Sequence, residues 1–337
     1  MSLGSLPPFS TSPAINIVTM NVIFTLLALI VSAEAFSAST PPPGAPPTSK
    51  GPPGAPPPPT RVQRVLDATF NAAFSGLYLF DRSGVKDSSK NLRVLWTRAL
   101  LDRQGRLEDS VAFQLLPRGT RRIISWPFTK AWRLTSKYDW IVDRTNFIDS
   151  EVDAFLEEFK EGERQVVLLG SGYDTRSMRY ISEGLKFIEV DLPDVIATKI
   201  KLVNRYVGPR RGEISDVAYV PFDLNGAAGV SLVDTLTKKG GLSLDVPTLV
   251  VCEAVMFYLA PPAAKAAFAD LFSKNFAKYV IVDNLAKLGV TPGGPPTPNV
   301  HEERCKKWVE EENDKIVTKH DEIWNGAIHF VAAESRK

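Results

Sequence analysis

The sequence predicts an α/β fold: a doubly wound, mostly parallel sheet flanked by helices, with a helical N-terminal cap over the sheet's carboxyl edge. Beyond residue 160, short apolar runs alternate with amphipathic stretches, as in parallel α/β proteins. The runs are continuously apolar, which suits strands that are buried on both faces. With 337 residues, 44% of them hydrophobic, the chain is long enough to form a full core.

Six apolar runs predict six strands, and a weaker signal at 314–319 indicates a seventh. The runs lie at 165–170, 186–191, 217–222, 247–252, 278–283 and 327–334. Helices are predicted between them, near 175–182, 193–206, 228–238, 261–276 and 301–313. Proline near two of these helix starts is favourable, because the first turn does not need the missing N–H. Residues 61–160 have a mostly helical pattern and are interpreted as the cap, and residues 161–337 as the core.

The first 60 residues differ in composition from the rest. Residues 1–35 hold the apolar run VIFTLLALIV followed by Ala33 and Ala35, which predicts a secretory signal peptide, with an uncleaved signal anchor as the alternative. Eleven of the 19 residues at 41–59 are proline, so residues 36–60 are expected to form an extended, disordered linker.

The segment after the expected cleavage point indicates where the protein is delivered. Phe36 and the Ser/Ala/Thr/Pro-rich stretch behind it resemble the bipartite presequences of proteins that reach plastids through the secretory pathway. The chain is therefore expected to enter the secretory pathway, with a plastid as one destination. Contact with a membrane is expected only if the N-terminal segment remains as an anchor.

Charge and residue counts exclude several classes of function. Forty Lys and Arg against 38 Asp and Glu give a net charge of +2, which argues against a nucleic-acid partner. Two cysteines cannot build a disulfide framework, and three histidines, all late in the chain, leave little material for a zinc site. No metal is expected.

Ligands of open α/β sheets bind outside the carboxyl ends of the strands, so residues at these ends are the candidate site residues. Gly170 and Gly172 follow the first strand in a G-x-G loop that lets a ligand approach the backbone closely. The loop lacks the third glycine of the dinucleotide fingerprint, which favours a nucleoside-type cofactor over NAD. Asp191 ends the second strand and could accept hydrogen bonds from ribose hydroxyls. Glu189 lies on the same face of the strand and is the alternative acid for this role. An Asp at the end of a strand can also serve only as the N-cap of the next helix.

The third and fourth strands also end in acidic residues. Asp223, followed by Leu224, could bind the exocyclic amine and ring nitrogens of adenine. Glu253 ends an otherwise apolar strand, where a carboxylate is costly to bury alone, and it is expected to meet a cation such as a sulfonium or ammonium. Cys252 beside it is interpreted as a core thiol.

Five blocks, in this order, resemble the leucine carboxyl methyltransferase family, nearest to its bacterial branch of uncharacterised S-adenosylmethionine-dependent methyltransferases. They are RTNFID at 144–149, RQVVLLGSGYDTR at 164–176, FIEVDLP at 187–193, VPFDL at 220–224, and PTL at 247–249 leading to Glu253 and FYL at 257–259.

The resemblance implies a class I, Rossmann-like methyltransferase that uses S-adenosyl-L-methionine and methylates an oxygen. It implies that Arg144 binds the methionine carboxylate, Gly170 and Gly172 form the loop, Asp191 holds the ribose, and the remaining matched residues bind the adenine and the methionine end, namely Asp223, Leu224 and Glu253. One departure is Ala254, where the family usually has glycine.

The predicted activity is therefore methyl transfer to a carboxylate or hydroxyl of a small molecule or a peptide terminus. A carboxylate acceptor needs no general base, whereas a hydroxyl acceptor does, and Tyr258 is then the first candidate. Two alternatives remain: a catalytically inactive S-adenosylmethionine-binding regulatory or interaction protein, and a Rossmann oxidoreductase that binds nicotinamide cofactors.

Overall fold

The computed structural model describes residues 89–116, 118–125, 129, 139–180, 182–206, 217–226, 229–288, 308–324 and 328–336. The expected signal segment at 1–35, the linker at 36–60 and the start of the expected cap at 61–88 lie outside these ranges. Within the ranges, no helix is both long enough and apolar enough to cross a bilayer.

Four helices precede the first strand in the described part of the chain. They are α1 (Ser89–Arg103), α2 (Ser110–Leu115), α3 (Arg118–Ile124) and α4 (Asp139–Glu158). The side chain of Asp109 caps α2 by accepting a hydrogen bond from the Ala112 N–H at 3.1 Å, which satisfies one of the free amides of the first turn.

Seven strands form one sheet in the order β3-β2-β1-β4-β5-β7-β6, which confirms the predicted α/β class. Their bounds are β1 (Arg164–Leu169), β2 (Leu185–Asp191), β3 (Val217–Pro221), β4 (Thr248–Glu253), β5 (Lys278–Asp283), β6 (Ile316–Trp324) and β7 (Ile328–Ser335). Strands β1 to β5 pair in parallel, and β7 runs antiparallel between β5 and β6. The order reverses between β1 and β4, so their carboxyl ends open a crevice.

The remaining helices follow the strands, as predicted. They are α5 (Arg176–Arg179), α6 (Pro193–Tyr206), α7 (Leu232–Gly240) and α8 (Pro261–Phe272), with 3₁₀ turns at Met256–Tyr258 and Leu285–Leu288. Residues 308–312 are also helical, and the rest of the predicted helix before them, 301–307, lies outside the described residues. Helix α6 has its predicted bounds. Helix α8 ends four residues before its predicted end at 276, since Asn275 adopts a left-handed conformation (φ 51°) that cannot continue a helix.

Strand β6 is longer than the weak signal at 314–319 indicated. It lies at the sheet edge, pairs only with β7 among the described strands, and carries the polar run Lys319 to Glu322. The register also shifts between Thr318 and His320. An edge strand with a bulge does not show the continuous apolar pattern of a buried strand, so the sequence signal is weak.

Helix α4 packs against one face of the sheet. Its Ile148, Val152 and Phe155 are buried and belong to the same core cluster as alternate residues of β1, β4 and β5. On the other face, α7 and α8 cover a second cluster. Because α4 is fixed on the sheet, the side chains near its N-terminal end are held at a defined place.

A buried ion pair joins β2 to α6. Glu189 and Lys199 contact each other and neither side chain is exposed, and the Ser177 hydroxyl donates a second hydrogen bond to Glu189 at 2.5 Å. Burial raises the pKa of Glu189, and Lys199 and Ser177 act against that shift. A charge this deeply buried is tolerated only with its partner.

Lys199→Met is therefore expected to lower the free energy of unfolding by about 3 kcal/mol or more, because it leaves Glu189 buried without a counter-ion. Urea denaturation at neutral pH measures this change. The double variant with Glu189→Met should recover most of the loss. Lys160→Met, which removes an exposed pair with Glu157, is the control and should leave stability nearly unchanged. A loss no larger than that of the control would contradict the assignment.

Candidate functional site

A cavity of about 510 Å³ lies at the carboxyl ends of the central strands. The structure brings all the sequence-predicted site residues to its wall: Arg144, Gly170, Gly172, Asp191, Asp223, Leu224, Glu253 and Tyr258. Side chains of α1 and α4 complete the lining, among them Asn91, Arg98 and Trp140.

The loop after β1 approaches the loop after β4 closely. Gly170 has φ 56°, and a Cβ at this position would lie 2.5 Å from a methyl carbon of Val255, so glycine is required for two separate reasons. Gly172 also has positive φ (48°), but a Cβ there would meet Asn91 only at 3.5 Å. Gly170 thus allows the loop after β1 to lie against the loop after β4 in the cavity wall.

Asp191 is anchored by main-chain hydrogen bonds. Its carboxylate accepts from the N–H of Gly172 and from that of Leu192, both at 2.7 Å. Burial raises the pKa of Asp191, and these two donors oppose the shift. Of the two acids on this strand, Asp191 faces the cavity, whereas Glu189 is buried against Lys199. A hydroxyl-bearing ligand can reach Asp191 and cannot reach Glu189.

The loops after β3 and β4 are tied together by a residue that sequence reasoning missed. Asn225 donates through Nδ2 to the Tyr258 carbonyl at 3.1 Å, and its Oδ1 accepts from the Ala260 N–H at 2.7 Å. Its own N–H donates to Asp223 Oδ1 at 2.9 Å. Leu224 is buried between these contacts, and Tyr258 lies at the rim with 57% of its surface exposed. No local signal distinguishes Asn225 from an ordinary turn residue.

Arg144 and Glu253 face each other across the cavity floor. Arg144 Nε lies 2.7 Å from Glu253 Oε1, and the Arg144 guanidinium stacks on the Trp140 ring at 4.0 Å. Arg144 is 3% exposed, yet its Nε and Nη1 have no hydrogen-bond partner with suitable geometry among the described residues. Burial lowers the pKa of Arg144, and Glu253 counters this shift. Unsatisfied donors on a buried cation are suited to an anionic ligand group.

The other oxygen of Glu253 is bound by Arg176, which sequence reasoning also missed. Arg176 Nη1 lies 2.7 Å from Glu253 Oε2, and the Arg176 side chain is fully buried. Burial opposes ionisation of Glu253, but Arg144 and Arg176 outweigh it and lower the pKa of Glu253. The sequence indicated that Glu253 meets a cation, and the structure shows two protein cations.

The cavity therefore presents the Glu253 carboxylate and the Arg144 guanidinium side by side, with a second carboxylate, that of Asp191, at the end of β2, two strands away from β4. This arrangement fits a ligand that carries an ammonium and a carboxylate on one end and hydroxyl groups further along. The glycine loop lets that ligand lie directly on the backbone.

Ala254, the departure from the family pattern, lies in the cavity wall with φ 57°. The next two amides, those of Val255 and Met256, donate to Asp283 Oδ2 at 2.5 and 2.7 Å. Burial raises the pKa of Asp283 to about 6, against the effect of these donors. The left-handed conformation of Ala254 is thus imposed by the turn that Asp283 holds, and it is unfavourable for a residue with a Cβ.

Ala254→Gly is expected to raise the free energy of unfolding by about 1 kcal/mol, because glycine adopts this conformation without strain. Thermal or urea denaturation measures the change. The control is Ala267→Gly in the interior of α8, which should destabilise by about 1 kcal/mol. If both variants lose stability to the same degree, Ala254 is not strained.

Comparison with known proteins gives the chain's family. The family model for leucine carboxyl methyltransferase matches residues 90–272, more than half of the chain. Leucine carboxyl methyltransferase 1 of Caenorhabditis elegans is 30% identical over 170 residues, which cover 43% of this chain and 51% of that protein. Its namesake in Schizosaccharomyces pombe is 33% identical over 168 residues, covering 43% and 52%. A putative S-adenosyl-L-methionine-dependent methyltransferase of Mycolicibacterium paratuberculosis is 29% identical over 150 residues, covering 44% and 45%.

The matches span about half the length of these relatives. Among solved structures, magnesium protoporphyrin IX methyltransferase (ChlM) from Synechocystis PCC 6803 with bound SAH aligns over 71% of this chain and 97% of that one, at 14% identity and a TM-score of 0.40, a score too low to support a conclusion. The predicted resemblance is confirmed by the family match: the chain belongs to the leucine carboxyl methyltransferase family, a family of S-adenosylmethionine-dependent methyltransferases.

Proposed function

We propose that this protein is an S-adenosylmethionine-dependent O-methyltransferase that methylates a carboxylate or hydroxyl of a small molecule or a peptide terminus. The observation that carries the proposal is the buried guanidinium of Arg144, which lines the cavity beside the carboxylate of Glu253. Together they match the carboxylate and ammonium of the cofactor's methionine end. Family membership supports the same cofactor.

The other cavity residues fit the rest of the cofactor. Asp191 would accept hydrogen bonds from the ribose hydroxyls, because its carboxylate is already fixed by two amides. Asp223 and Leu224 would contact the adenine, one through its carboxylate and the other through a buried apolar surface. Gly170 and Gly172 would let the cofactor lie against the loop. The volume of about 510 Å³ is in the range of ligand sites.

When bound, the cofactor supplies a methyl group that its sulfonium already activates for displacement. The protein's contribution is therefore alignment of the acceptor oxygen and exclusion of water. Arg144 and Glu253 fix one end of the site, and α1 and α4 cover it. For a hydroxyl acceptor, Tyr258 at the rim would take the proton; for a carboxylate acceptor, no proton has to be removed.

A carboxylate acceptor, such as a peptide C-terminus, is the form of the proposal that we favour. The relatives named leucine carboxyl methyltransferase 1 support this choice. So does the charge of the cap side of the cavity, where the exposed Arg93 contributes to the lining. An anionic acceptor would be attracted to that side.

Asp191→Ala is expected to weaken binding of S-adenosylhomocysteine at least about tenfold, because the ribose hydroxyls lose a fixed acceptor. Arg144→Ala should weaken it to a similar degree, because the cofactor carboxylate loses its counter-ion. Isothermal titration of the full chain measures both. Asp234→Ala, which removes an exposed carboxylate of α7, is the matched control and should bind like the unmutated protein. Absence of binding to the unmutated protein would refute the proposed cofactor.

Incubation with methyl-labelled S-adenosylmethionine is expected to label peptides that end in a free carboxylate and not the same peptides with an amidated C-terminus. The label should be released by mild base, as a methyl ester is. Equal labelling of both forms would refute the carboxylate acceptor and favour a hydroxyl. Cofactor binding without transfer to any acid or hydroxyl tested would favour the catalytically inactive alternative.

A further inference from the structure

Arg176 is a fully buried cation that contacts three carboxylates from three different parts of the fold. Its Nε lies 2.6 Å from Asp149 of α4, and its Nη1 lies 2.5 Å from Asp174 of the glycine loop and 2.7 Å from Glu253 at the end of β4. Asp174 and Glu253 line the cavity formed by the described residues, and Arg176 lies behind them. Arg176 can therefore affect a ligand only through those neighbours.

Arg176 belongs to a continuous chain of ion pairs that is balanced in charge. Seven contacts connect four arginines with four acids, so the formal charges sum to zero: Arg98, Arg144, Arg176 and Arg179 with Asp109, Asp149, Asp174 and Glu253. A zwitterionic amino-acid group can enter without changing this balance. Loss of one arginine leaves a carboxylate without compensation in a buried place.

The two oxygens of Glu253 are held by different arginines. Arg144 contacts Oε1 and also lines the cavity, so a ligand carboxylate would compete with Glu253 for Arg144. Arg176 contacts Oε2 from the side away from the cavity. When Arg144 turns to a ligand, Arg176 remains as the contact that keeps Glu253 in place.

We propose that Arg176 is a positioning residue for the amino-acid end of the cofactor: it holds the Glu253 carboxylate ionised and in a fixed orientation without touching the ligand. The inference rests on the proposed cofactor. In this proposal the ammonium group of the cofactor is bound by Glu253, which lines the cavity, and Arg176 holds Glu253 from behind.

The proposal has a consequence for pH dependence. The charged groups that act on Glu253 come from several elements: Arg98 of α1, Arg144 of α4, and Asp174 and Arg176 of the loop after β1 and the start of α5. Asp283 ends β5, the strand that pairs with β4. With both arginines present, the pKa of Glu253 is lowered although burial acts to raise it. Without Arg176, one of the cations that oppose the effect of burial is lost, so the pKa of Glu253 rises and Glu253 becomes protonated at a higher pH than in the unmutated protein.

The test compares four full-length proteins: unmutated, Arg176→Gln, Arg176→Lys and Arg179→Gln. Arg179 lies one turn further along and pairs with Asp149 at 2.8 Å, but it makes no contact with Glu253. The Arg179→Gln variant thus removes a cation from the same network and leaves the contacts of Glu253 with Arg144 and Arg176 intact. Titration calorimetry with S-adenosylhomocysteine between about pH 5 and pH 8 gives the affinities. The melting temperature of each protein shows whether it is folded at that pH.

We expect Arg176→Gln to bind about tenfold more weakly at pH 8 and to lose further affinity as the pH falls, with a profile steeper than that of the unmutated protein. Arg176→Lys should lie between the two, because it keeps the charge but cannot contact all three acids. Arg179→Gln should melt at a lower temperature and keep the profile of the unmutated protein.

Several outcomes overturn the inference. If folded Arg176→Gln has the pH profile of the unmutated protein, Arg176 is structural only. If Arg176→Gln does not fold, the test rests on Arg176→Lys. The proposal is then refuted if Arg176→Lys binds S-adenosylhomocysteine as tightly as the unmutated protein at every pH. If Arg179→Gln changes the profile as Arg176→Gln does, the effect belongs to the whole network. If the unmutated protein does not bind the probe, the proposed cofactor itself is wrong.

Discussion

The structure depends on compensation of buried charge at the carboxyl edge of the sheet. A buried guanidinium or carboxylate is costly unless it is paired and hydrogen-bonded, and here the pairs link elements that are distant in sequence. Arg176 contacts Glu253, 77 positions later, and Asp149 of the preceding helix. Helix α4 must therefore pack where Arg144 meets Glu253 and Asp149 meets Arg176. Residues of α1 and α4 then line the cavity at the point where the strand order reverses.

The sequence predicts those parts of the site that depend on strand ends. A buried parallel strand is a continuous apolar run, so the residue that terminates it can be identified, and Asp191, Asp223 and Glu253 were found in this way. Parallel strands then bring these ends to one edge without further information. The family motifs added Arg144, which no local pattern singles out.

What the sequence does not predict is the choice among neighbours and the long-range partners. Alternation places Glu189 and Asp191 on one face, and only the position of Lys199 in α6 shows that Glu189 is neutralised internally. Glu253 was expected to meet a cation, but two arginines from separate elements provide it. Strand β6 was underestimated because an edge strand with polar residues has no apolar periodicity. Each case depends on a tertiary contact that the local pattern does not encode.

Asn225 links two loops of the site by hydrogen bonds. Through its amide it joins the loop after β3, which would contact the nucleobase, to the segment with Tyr258 at the rim of the cavity. Two hydrogen bonds therefore couple the position of one loop to that of the other. In the course of divergence, a substitution that shifts the loop after β3 is therefore expected to select for a compensating change in the segment with Tyr258, so that the two segments evolve together.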